Sequence, residues 1–187
     1  MPGDLDGKRI LILATNGFEQ SELEVPRDKL KAAGATVEIA SPERGEIKGW
    51  DKKDWGRPVQ VDRALGDVKA ADYDAIVLPG GQINPDLLRV NSDALRLIKE
   101  FYDAGKTVAA VCHAPWLLVE TGIAKGHRMT SYKSIKTDVM NAGARWEDSP
   151  VVTDNGIVTS RNPGDLEQFS AKIIEEVREG KHDRRAA

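Results

Sequence analysis

The chain has 187 residues, 40% hydrophobic and 30% charged, with a formal net charge of -3. That mixture is a globular composition, and its 27 basic residues are interspersed with 30 acidic ones, so nothing favours nucleic acid as a partner. One cysteine excludes an internal disulfide and any multi-thiolate metal centre, and the three histidines, His113, His127 and His182, are far apart with no metal-ligand spacing.

Residues 8–14 (KRILILA) read as a buried strand, 15–19 as a turn, and 20–33 as a helix stopped by Gly34. A second strand covers 36–40. The polar, glycine-containing stretch 41–56, with Trp50 and Trp55, reads as an excursion from the main sheet, and 59–61 as a short strand. Residues 75–78 (AIVL) form a buried strand ending in Pro79-Gly80-Gly81. A helix follows over 92–104, capped by Ser92 and stopped by Gly105. Residues 107–111 are a buried strand and 116–120 belong to the next helix. Residues 138–142 lie in a short helix ended by Gly143, 151–160 form a hairpin turning at Asp154-Asn155-Gly156, and 166–177 are the last helix. One domain over 1–187 is expected, with 1–7 and 180–187 frayed.

Strands alternating with helices, and carrying continuous apolar runs, predict an α/β fold with a mostly parallel sheet covered on both faces. Ligands bind such sheets beyond the carboxyl ends of the strands. Glu19, Gly80-Gly81 and Cys112 fall at three of those ends.

Residues 106–116 (KTVAAVCHAPW) are the most informative run. A buried strand gives way to a sharp turn carrying Cys112, then to a helix opening near Pro115. Proline suits a first helical position because its missing N–H would be unpaired there. A sulfur in such a turn faces free N–H groups and the positive end of a helix dipole, both of which favour the thiolate. The arrangement is a nucleophile elbow with sulfur in place of a hydroxyl.

The motifs LPGG at 78–81, VCHAPWLL at 111–118, TSY at 130–132, NAGA at 141–144 and VTSR at 158–161 resemble the PfpI family of intracellular proteases. That family belongs to the flavodoxin-like superfamily that includes the parkinsonism-associated protein deglycase. The resemblance runs from about Lys8 to Val177. It implies a three-layer flavodoxin-like sandwich with Cys112 as nucleophile and His113 as its base or orienting group. Glu19 is implied as the acid that contacts the cysteine, holding a proton because a carboxylate beside a thiolate is repulsive. Gly81 and the His113 N–H are implied as oxyanion-binding amides, and Tyr132 as a residue near the site. Asp86 falls where relatives carry a glutamate that reaches a neighbouring subunit's histidine, but it is one methylene shorter and follows an extra residue. Ala114 stands where relatives usually have glycine.

The expected function is a cysteine-dependent stress-response enzyme acting on reactive carbonyls (glyoxalase III or deglycase chemistry) or on peptides. The small-carbonyl reactions are favoured, because a protease also needs a groove and a well-placed acid. The alternative is a redox sensor that uses an oxidisable Cys112 without turnover. A glutamine amidotransferase is excluded because no late His-x-Glu occurs, and an α/β-hydrolase because no Gly-x-Ser-x-Gly occurs. Neither a metal nor another cofactor is expected. The expected partners are the carbonyl or peptide substrate and a second copy of the chain, in a dimer or hexamer. With no signal-peptide core and no apolar run approaching a membrane span, a cytoplasmic location is expected and a membrane partner is not.

Overall fold

A computed structural model describes residues 3–184. The strands are β1 (Arg9–Leu13), β2 (Phe18–Glu19), β3 (Thr36–Ser41), β4 (Glu46–Asp51), β5 (Asp54–Gln60), β6 (Arg63–Ala64), β7 (Ala75–Leu78), β8 (Thr107–Val111), β9 (Arg128–Met129), β10 (Arg145–Trp146), β11 (Val151–Asp154) and β12 (Ile157–Ser160). The helices are α1 (Gln20–Ala32), α2 (Ile83–Leu88), α3 (Ser92–Asp103), α4 (Pro115–Glu120), α5 (Lys136–Asn141) and α6 (Leu166–Glu179).

Seven strands form the central sheet in the order β11-β12-β8-β7-β1-β3-β6. Every pairing is parallel except the β11–β12 hairpin at one edge. Past the first residues of β1 and β8, the central strands β1, β7 and β8 are apolar because both faces are covered. Leu11, Leu13, Ile76, Leu78, Val108 and Ala110 pack with Leu97, Phe101, Leu117 and Val139 of α3, α4 and α5. The alternate residues Ile10, Ile12, Val77, Ala109 and Val111 pack with Leu23, Leu30, Phe169 and Ile173 of α1 and α6. The period-two alternation of a strand thus feeds two cores at once, and truncating a fully buried member such as Ile12 to alanine would cost about 2–5 kcal/mol. These layers are the three-layer α/β sandwich that the element order predicts.

The structure departs from the sequence reading in four places. The excursion over 41–56 does leave the main sheet, but it carries strands that were not predicted: β4 and β5 form a hairpin, β2 joins its edge, and the predicted strand at 59–61 is largely the end of β5. Residues 82–91, to which the sequence reading assigned no element, contain α2. The cap of α3 is Asn91, whose side chain accepts the Ala94 N–H at 3.0 Å. The chain ends are tied down rather than frayed. Leu5 is fully buried and its N–H reaches the Ala33 carbonyl, while His182 donates its N–H to Gly105 O at 2.7 Å. Arg184 donates to the carbonyls of Tyr102, Asn155 and Lys106. Residues 1–2 and 185–187 of those expected frayed ends lie outside the described residues.

Candidate active site

β7 and β8 are neighbours in the sheet, and their carboxyl ends carry Gly80-Gly81 and Cys112. Cys112 lies between β8 and α4 with φ 65°, a left-handed conformation that costs a non-glycine residue about 1–2 kcal/mol. Its N–H donates to Ser160 O at 3.0 Å and its carbonyl accepts from Tyr132 N at 2.7 Å, which fixes the turn from both sides. Pro115 occupies the start of α4, as the elbow requires.

Gly80 and Gly81 allow the approach of the two strand ends. A Cβ on Gly80 would lie 2.8 Å from Cys112 Cβ. One on Gly81, at φ 82°, would lie 2.5 Å from Gly17 O. The N–H groups of Gly81 and His113 both donate toward the sulfur. Buried Asn84 braces this turn, donating to Pro79 O and Gly80 O and accepting the Thr15 N–H.

His113 Nδ1 sits 3.2 Å from Cys112 Sγ, and its Nε2 is 3.3 Å from Ser134 Oγ. Its ring stacks on Tyr132 at 4.7 Å between centroids, with an interplanar angle of 25°. Burial lowers its pKa, which favours the neutral imidazole.

The acid at the sulfur is Glu22, not Glu19. Glu22 lies in the first turn of α1 on the face that buries Leu23, Pro26 and Leu30, and it is fully buried. Its Oε1 accepts the Gly80 N–H at 3.1 Å, its Oε2 is buried without a hydrogen-bond partner, and the carboxyl lies close enough to the thiol for each to shift the other's pKa. Burial, then the charge of Glu19, pushes its pKa up to about 8. Glu19 precedes the helix in extended conformation and turns to the β4–β5 hairpin, where Oε1 accepts the Lys52 N–H at 3.3 Å. Burial raises the Glu19 pKa as well, against the lowering effect of that hydrogen bond. Sequence periodicity held the missed signal: Glu22 shares the apolar stripe of α1, where an ordinary solvated acid does not belong.

Burial and the neighbouring Glu22 push the Cys112 thiol up, while the Gly81 and His113 amides pull it down. The thiolate expected from the elbow alone is therefore opposed by its surroundings. Two buried acids in contact resist carrying two negative charges, so a thiolate here is favoured only opposite a protonated Glu22.

These groups open on a cavity of about 520 Å³, with Glu19, Gly81, Tyr132, Trp50 and Lys52 also in its wall. The structure therefore brings together Cys112, His113, Gly81, Tyr132 and, at the rim, Glu19. Asp86 is exposed on α2 and is not among the cavity's lining residues. It follows Pro85 on the outward side of a short helix whose buried side carries Asn84 and Leu88, so within one chain it cannot orient His113. Ser134, Trp50 and Lys52 are site residues that the sequence did not single out.

The profile of the DJ-1/PfpI family matches residues 8–176. The chain belongs to the DJ-1/PfpI family. It is 41% identical over 170 residues to a protein of Thermococcus kodakarensis named a deglycase, covering 91% of this chain and 99% of that one. Drosophila melanogaster DJ-1beta superposes with a TM-score of 0.82 at 31% identity, over 92% of this chain and 94% of that one. A two-domain protein of Anabaena variabilis, with DJ-1/ThiJ/PfpI-like and ferritin-like domains, superposes with a TM-score of 0.85 at 36% identity. The match covers 91% of this chain but 48% of that one. Among the described residues no helix is long and apolar enough to cross a membrane.

Proposed function

We propose that this DJ-1/PfpI protein is a cysteine-dependent enzyme that acts on reactive carbonyls, in the manner of a glyoxalase III or a deglycase. The observation that carries the reading is a cysteine in a left-handed turn, lining a cavity beside a buried carboxyl whose pKa burial pushes up to about 8. On an α-oxo aldehyde, Cys112 sulfur adds to the aldehyde carbon. The thiol proton passes through Glu22, and the developing oxyanion takes the Gly81 and His113 amides. Transfer of the aldehyde hydrogen, as a proton, to the adjacent carbon gives a thioester of the hydroxy acid. Water then cleaves the carbon–sulfur bond and returns the proton to sulfur. Neutral His113 beside the sulfur is suited to carry protons in these steps.

The cavity suits a small carbonyl better than a peptide, which needs an extended groove and a second acid for the leaving amine. A reducing cytoplasm, which keeps a lone cysteine as a free thiol, fits this reading. Ile83, Leu87 and Val90, exposed by 37%, 48% and 82%, form the apolar face through which copies of the chain would associate. Dimers and hexamers both fit that reading.

The test is turnover of methylglyoxal by the wild-type chain and by Cys112→Ala, read as D-lactate formed. The expected result is product from the wild type alone. Equal product from both discards Cys112 as nucleophile. No product from either favours a redox sensor, for which the protonated Glu22 beside sulfur would stabilise an oxidised cysteine.

A further inference from the structure

At the far end of α6, the chain folds its own tail back over the last helical turn. Gly180, with φ 95° and ψ -148°, ends the helix and reverses direction. Glu176 and Glu179 are three residues apart and so stand on one helical face. The reversal brings His182 over them. Two glycines leave room for it: a Cβ on Gly105 would lie 2.4 Å from His182 O, and one on Gly156 would lie 2.5 Å from its Cδ2. The ring is thus seated by the body of the fold and is 17% exposed.

Glu176 is 6% exposed. Its Oε2 lies 2.9 Å from His182 Nε2, yet neither atom makes a hydrogen bond. The separation is that of two atoms bonded to one another through hydrogen, but the direction is not. A neutral imidazole would aim a lone pair past a carboxylate oxygen, and a protonated one would aim its N–H beside it. Two donor atoms about 3 Å apart are what a shared cation with bonds of about 2.0–2.2 Å requires. Ligand atoms of Glu176, Glu179 and His182 all lie within 4.8 Å of one another.

We propose that Glu176, Glu179 and His182 form a binding site for a divalent transition-metal ion, of which zinc is the natural probe. The site is separate from the cysteine cavity, since none of its residues lines that cavity. One imidazole nitrogen and two carboxylate oxygens are a borderline-to-hard donor set that suits zinc better than calcium or a thiophilic ion. The negative end of the α6 dipole adds to the attraction. Exposed Glu179 and solvent complete the coordination from outside. Metal bound here would fasten the tail to α6, and with it Arg184, which stacks 4.4 Å above the Tyr102 ring.

The experiment titrates the full chain carrying Cys112→Ser with zinc chloride, so that no thiol competes, at a pH where histidine is neutral. Calorimetry is expected to show about one equivalent bound in the micromolar range or tighter, with a rise in the thermal midpoint. Adding His182→Ala or Glu176→Gln is expected to weaken binding about tenfold or more. Arg184→Ala, which loosens the tail but keeps all three ligands, is expected to retain binding within a few-fold. Cobalt in place of zinc gives a visible absorption band that should vanish with His182→Ala in a chain still folded by circular dichroism. Binding weaker than about 100 μM overturns the proposal and leaves a histidine–glutamate ion pair. So does zinc affinity unchanged in His182→Ala, or loss of affinity as complete in Arg184→Ala as in His182→Ala.

Discussion

Glu22 and Asp165 stand at the starts of two helices on the same face of the sheet, and both are shut off from solvent, at 0% and 4% exposure. Their surroundings are opposite. Asp165 is clamped by Arg161, which donates from Nε and Nη2 to its two oxygens and from its backbone N–H as well. The pairing in turn raises the Arg161 pKa. Glu22 has the Gly80 amide, the Cys112 thiol nearby and, among the described residues, no cation that shifts it. A buried carboxylate with a fixed counter-charge ties the β12–α6 junction to the fold. A buried carboxyl without one keeps its proton near neutrality and can give it up. On the proposed function, the same side-chain chemistry serves stability in one place and reactivity in the other.

The comparison breaks first at the sulfur. Cys112→Ala is expected to abolish methylglyoxal turnover while leaving the circular dichroism spectrum unchanged. Retained turnover would remove the reason to treat Glu22 as reactive.

Next comes Glu22→Gln, expected to lower kcat by roughly 10²-fold or more, the size of a lost proton-transfer group. Its stability should move the other way. Below about 4.5, Glu22 is protonated whether the chain is folded or unfolded. Between there and about 8, the unfolded chain ionises it and the folded chain does not, so wild-type stability falls as pH rises through that window. Glutamine removes that slope, and the variant should gain on wild type by a few kcal/mol at most across the window. Urea melts at several pH values would show it. Parallel pH profiles for the two chains would sink the assignment.

Asp165→Asn should reverse the pattern, costing about 1–3 kcal/mol of stability with a change in kcat far smaller than that of Glu22→Gln. A loss of turnover as large as that of Glu22→Gln, in a folded chain, would erase the distinction. The smallest effect is expected from Asp86→Ala. Its side chain is exposed and outside the cavity, so kcat should change less than about twofold at protein concentrations low enough to keep the chain monomeric. A larger loss that appears only as the chain associates would bring Asp86 into a neighbour's site.

The sheet was legible because burial on both faces confines polar residues to the strand starts: RILIL, AIVL and TVAAV could be little else. The elbow was legible because an apolar strand, a lone cysteine and a proline at a first helical position leave few ways to turn. Glu22 was passed over because an acid in a helix ordinarily faces water, and its place on the apolar stripe of α1 was the one mark against that reading. Gln82–Val90 hid a helix because six residues are too few for a period and Pro85 sits in the middle. The tail was misread for a different reason. Its anchors are backbone carbonyls and glycines at 105 and 156, and no side-chain pattern announces them.

The left-handed turn at Cys112 sets folding and chemistry against each other at a single position. Glycine would adopt φ 65° without cost, and its absence of a side chain would also relieve the crowding beside Gly80. A population of variants screened only for resistance to heat should therefore drift toward glycine at 112. One screened for survival in the presence of toxic aldehydes should never leave cysteine. The divergence of those two lineages would record, in sequence alone, what this turn is for.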